Sequence, residues 1–98
     1  MYAYAVLSLV EGNPKNVISF PLLGIHRSEQ EAQDHFEMLL NDRSERKLDL
    51  KTFWDLKHAR ETEGRKRELR RAYLSYSEPF SKMERTETFI IERWNLNY

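Results

Sequence analysis

Ninety-eight residues fit one domain and leave no room for a second. The absence of cysteine excludes a disulfide framework, a thiolate nucleophile and a cysteine-based zinc site. Sixteen basic and sixteen acidic residues cancel, which excludes a global attraction to nucleic acid or to an anionic membrane.

Leu, Ile, Val and Phe supply 24 residues, enough for a packed core. A domain this short buries only about two-thirds of its unfolded surface, so self-association as a homodimer is a natural way to bury more. A cysteine-free chain also suits a reducing cytosol. The apolar start, Met1 to Val10, has no basic flank and ends at Glu11-Gly12-Asn13-Pro14, too short to cross a bilayer. The expectation is a soluble, unprocessed, cytoplasmic chain.

Residues 2 to 10 are rich in β-formers, and Glu11 to Asn16 is a concentrated turn signal. Val17-Ile18-Ser19-Phe20 resumes the β pattern, so residues 2 to 20 read as a hairpin. Pro21 cannot donate to a ladder. It should close the second strand, lie on an edge, or mark a bulge before Leu22 to Ile25.

Ser28-Glu29-Gln30-Glu31 has the form of a capping box, with Ser28 accepting from the amide three residues on. Ala32, Phe36, Leu39 and Leu40 then make one apolar stripe. Glu29, Glu31 and Asp34 lie where the helix dipole favours negative charge. A helix is expected over about residues 29 to 41.

Residues 43 to 71 read as a charged, insert-like segment of variable, partly helical structure. Leu50, Phe53, Trp54 and Lys57 share a helical face, which predicts a short helix from about 50 to 60, while Leu48 and Leu50 allow a brief strand instead. Residues 60 to 68 contain no large apolar side chain and read as a loop, an arm or a solvated helix turn.

Between Leu69 and Tyr76, Ala72, Leu74 and Tyr76 alternate with Tyr73 and Ser75, which favours a strand over a helix. Phe89 to Leu96 reads as a second strand, rich in aromatic and β-branched residues. The two should pair as an antiparallel hairpin across Pro79 to Glu87. The expected order is β-β-α-(charged segment)-β-β, an α+β domain with one main helix on a small antiparallel sheet.

Chemistry has few footholds. His26, His35 and His58 are not spaced as ligands on one helix face, so no metal or other cofactor is expected. His35 stands four residues after Glu31, an ordinary surface contact. No serine or threonine sits in a nucleophile elbow, so the domain reads as non-enzymatic.

Gly24, His26, Arg27 and Ser28 lead into the helix start, where free amides can receive an anion. They form a weak candidate site for a phosphorylated ligand. Charge is also unevenly spread. Residues 57 to 71 carry seven basic and three acidic groups, on a body that is acidic on both sides.

Arg65, Lys66, Arg67, Arg70 and Arg71, with Tyr73 and Tyr76 just beyond, are therefore candidates for binding a partner. Two partners fit: phosphates with stacked bases, or an acidic protein surface, including that of a second copy. Tyr2 and Tyr4 share a strand face with Val6, opposite Ala3, Ala5 and Leu7. They predict an exposed aromatic face, with the small residues turned toward the helix. The leading expectation is a protein-interaction module, a small accessory or inhibitory protein that self-associates. Nucleic-acid binding and phosphoanion binding are the alternatives.

Overall fold

The computed structural model describes residues 1–12, 17–19, 22–45, 49–57, 64–77 and 84–97. Parts of the expected Glu11–Asn16 and Pro79–Glu87 turns lie outside these residues, as do Pro21, His58 and residues 60 to 63.

The chain runs β1 (Tyr2–Gly12), β2 (Val17–Ser19), β3 (Leu22–His26), α1 (Glu29–Glu45), β4 (Asp49–Leu56), β5 (Lys66–Ser77) and β6 (Glu84–Asn95). All six strands join one antiparallel sheet in the order β2-β1-β6-β5-β4, and β3 pairs β1 on the same side as β2. The expected α+β class, with one helix set between strands of an antiparallel sheet, is what forms.

β1 and β6 are the centre of the sheet. They pair without interruption from Tyr2↔Asn95 to Gly12↔Arg85, joining the two ends of the chain. The other side of β1 is shared. β2 takes its far end at Val10↔Ser19, and β3 takes Tyr4 to Leu7. β2 ends at Ser19 and β3 begins at Leu22. β5 pairs β6 along its length as the closing hairpin, as its alternation predicts.

The segment from 43 to 71 departs from expectation. No described part of it after Glu45 is helical: residues 49–56 form edge strand β4, paired with β5 through Phe53↔Leu74 and Trp54↔Tyr73. The helical spacing of Leu50, Phe53, Trp54 and Lys57 loses to the free edge of β5, and Thr52-Phe53-Trp54 are good strand formers. Lys66, Arg67 and Glu68 likewise belong to β5, opposite Trp94, Arg93 and Glu92. A strand paired at its backbone needs no apolar side chain to be held.

Period-two alternation gives the sheet two faces. On one, Val6, Ala72, Leu74, Tyr76, Phe89 and Ile91 pack with Ala32 and Phe36 of α1 to form the core. Phe36 and Phe89 meet edge to face at 6.2 Å. Tyr4, Leu23, Leu39, Leu40 and Leu69 close around this cluster. Ser28 starts α1 as predicted, accepting from the Glu31 amide at 3.2 Å. The helix extends to Glu45, four residues beyond the expected end.

Candidate interaction surface

The helix side is closed by polar seams. Arg70 continues the core-facing alternation of β5, just after a β-bulge between Glu68 and Arg70, and its side chain is 3% exposed. Its Nε and Nη2 donate to the two Asp55 oxygens at 3.0 and 2.6 Å. Nη1 donates to Gln33 at 2.7 Å, and Nη2 also reaches Glu37 at 2.6 Å. The guanidinium lies 4.3 Å from the Phe36 ring centroid. Burial opposes the charge, but the bonds and charges of Asp55 and Glu37 outweigh it and hold Arg70 above the ordinary arginine pKa. Arg70 therefore ties β4 and β5 to α1.

A second seam surrounds Glu87 on β6. The Tyr76 hydroxyl donates to Glu87 at 2.7 Å, and Arg43 Nε donates to both of its oxygens at 2.9 and 3.2 Å. Burial works against the Arg43 charge as well, and Glu87 more than compensates, raising its pKa.

At the β3–α1 junction, His26 Nε2 lies 2.8 Å from His35 Nδ1, while His26 Nδ1 faces Glu31 at 3.9 Å. Gly24 leaves room for the pair: a Cβ would stand 3.0 Å from the His35 ring, which would have to give by a few tenths of an ångström. Burial and then the charge of His26 lower the His35 pKa. Sequence spacing gave no sign of this pair, since the two histidines come from different elements. Among the described residues, no group of three or more His, Asp or Glu is placed to hold a metal ion.

Among the described residues no helix lies on the other sheet face, at whose centre Thr88 and Ile90 are 7% and 6% exposed. Near one edge, Ala3, Ala5 and Leu7 of β1 form the floor of an apolar groove of about 360 Å3, which Ile25, Trp94 and Leu96 help to line. Leu22, Ile25 and Leu96 are 53%, 64% and 54% exposed. Toward the opposite edge, Trp54 and Tyr73 stack in parallel at 5.2 Å, and Leu56 is exposed beside them. Two ion pairs lie on this face. Lys66 pairs with Glu92 at 3.3 Å, and Arg71 with Glu68 at 2.6 Å.

These positions sort the predicted residues. Tyr73 stands on the open face. Tyr76 and Arg70 are buried on the helix side and present nothing to a partner. Tyr4 packs against the core, and Tyr2 lies under Arg93 at 4.4 Å. The predicted division of β1 is thus reversed: the tyrosine–valine face meets α1, and the alanine–leucine face is open. Phe36 needs the deep contacts of Val6, Phe89 and Ile91, and these share a face with Tyr4, which decides the side.

Lys66 and Arg71 reach the open face already paired. The Arg65 carbonyl accepts from Asn95 at 2.9 Å, and Arg67 stands opposite Arg93 in the ladder. Around the helix start, Ser28 is occupied in capping: its hydroxyl serves Glu31 and its carbonyl accepts from Ala32 at 3.2 Å. Gly24 and His26 face His35, and Arg27 is exposed.

Comparison with protein-family models, with curated proteins and with solved structures finds no match to this chain. Among the described residues, no helix is long and apolar enough to cross a membrane. The class that the fold and surface define is a small α+β domain with one covered and one open sheet face.

Proposed function

We propose that the chain is a non-enzymatic protein-interaction module that binds through the open sheet face. The observation that carries this reading is the alanine-floored groove rimmed by exposed Leu22, Ile25, Trp94 and Leu96, with the stacked Trp54 and Tyr73 toward the opposite edge. Exposed apolar side chains gathered at one groove are unusual on a domain that functions alone, and aromatic anchors dominate binding energy where proteins meet.

The pairing of Lys66 with Glu92 and of Arg71 with Glu68 favours protein over nucleic acid. Phosphate binding draws its strength from cations free to release counterions, and these two would first have to leave carboxylates.

Photo-crosslinking tests the proposal. Benzoylphenylalanine placed at Ile25 or Leu96 should yield discrete protein adducts in cells, whereas the same group at the exposed Met38 of α1 should not. Absence of adducts from both open-face positions would remove the reading.

A further inference from the structure

We infer that the occupant of the open face is a second copy of this chain, packed sheet against sheet about a twofold axis. The inference rests on the reading that this face binds protein, and adds the partner. Three observations carry it.

The first is area. A standard interface buries about 800 Å2 on each partner. The domain measures 47 × 25 × 20 Å, so its broad face is large enough to supply such an area.

The second is charge. A twofold interface sets each patch against its own kind, so a face with unbalanced charge repels its copy. Here Lys66 and Glu92 neutralise each other, as do Arg71 and Glu68, and the rest of the groove is apolar. The groove selects for no oppositely charged partner and tolerates its own copy.

The third is relief. Ala3 and Ala5 make a low trough beside the tall, exposed Trp94 and Ile25. Under a twofold axis the high side chains of each copy enter the trough of the other, which makes two equal contacts. Sheets packed this way lie about 10 Å apart with strands within about 30° of parallel, close enough for an indole to reach alanine across the gap.

Sedimentation velocity with light scattering, from low concentration up to about 100 µM, tests the inference. The wild-type chain should reach twice its 11.9 kDa mass. Ile25→Asp and Leu96→Asp should each weaken association by at least about tenfold, because a carboxylate would lose its water in the interface. Both sites are exposed in the single chain, so circular dichroism should show the fold retained. Met38→Asp on α1 should leave the dimer intact.

A wild-type mass of 11.9 kDa throughout the range overturns the inference. So does a dimer that resists both open-face variants and yields to Phe53→Asp near the β4 edge. If the chain is monomeric while Ile25 still crosslinks to a different protein, the interaction reading stands and only the second copy is lost.

Discussion

Replacing Arg70 with Met tests the seam that joins β4 to the helix. Met keeps an apolar stem over Phe36 but removes every donor now serving Asp55, Gln33 and Glu37. Glu37 is 49% exposed and regains water, so its share is small. Asp55 is 14% exposed and is left as a mostly buried carboxylate without a counter-charge. Removing one partner of a buried pair costs about 3 to 5 kcal/mol, and the remaining exposure of Asp55 places this case near about 3 kcal/mol. For a domain of this length, that lowers the melting temperature by about 12 °C or more.

Urea unfolding at fixed protein concentration measures the loss. Adding Asp55→Leu to Arg70→Met should recover about 1 to 2 kcal/mol, because the stranded charge is then gone. A loss under about 1 kcal/mol for Arg70→Met would refute the reasoning. So would a double variant weaker than the single by the full cost of Asp55→Leu alone, since the two residues would then not be coupled.

Two further outcomes follow from the same seams. The lowered His35 pKa means that the unfolded chain binds the proton more readily. That contribution to stability is complete above the ordinary value of 6.5 and is lost as pH falls through the lower folded-state value. Urea midpoints should therefore decline below about pH 6.5 with a slope of at most about 1.4 kcal/mol per pH unit, and His35→Gln should flatten that stretch; coincident curves for the two proteins would show that the histidine pair plays no part. Tyr76→Phe removes the hydroxyl that donates to buried Glu87 while Arg43 stays in place, so it should cost about 1.5 to 3 kcal/mol in the same assay. A change within error would mean that Arg43 alone satisfies the carboxylate.

The elements legible in the sequence are those whose signals are local. A capping box and an apolar stripe specify α1, and alternation specifies β1, β5 and β6, because each face of these elements meets one environment. β4 was legible only as the brief strand that Leu48 and Leu50 allow. Leu50, Phe53, Trp54 and Lys57 also fit a helix, and the open edge of β5, remote in sequence, decides for the strand.

Arg70 was misplaced for a related reason. Counted in a basic run it reads as surface, yet it continues the alternation of Ala72, Leu74 and Tyr76 and so belongs to the core-facing set. That parity was available in the sequence and outweighs the charge count. Tyr76 lies on the same parity. The choice of which β1 face meets α1 was not available, since alternation separates Tyr4 and Val6 from Ala3 and Ala5 without naming the buried side.

If a second copy covers the open face, the distribution of polarity between the two faces gives the reason. The domain's most demanding charges, Arg70, Asp55, Arg43 and Glu87, are spent inside, where each must be matched because an unmatched buried charge costs several kcal/mol. Exposed Leu22, Ile25, Trp94 and Leu96 lie at the groove on the side without a helix. A monomer gains nothing from that arrangement, because each partly exposed apolar side chain forgoes a share of the about 1.5 to 3 kcal/mol that full burial supplies. The same arrangement becomes favourable once a second layer covers the open face. A sheet with a helix on one side and a protein surface on the other has the buried layering that stable sheets adopt.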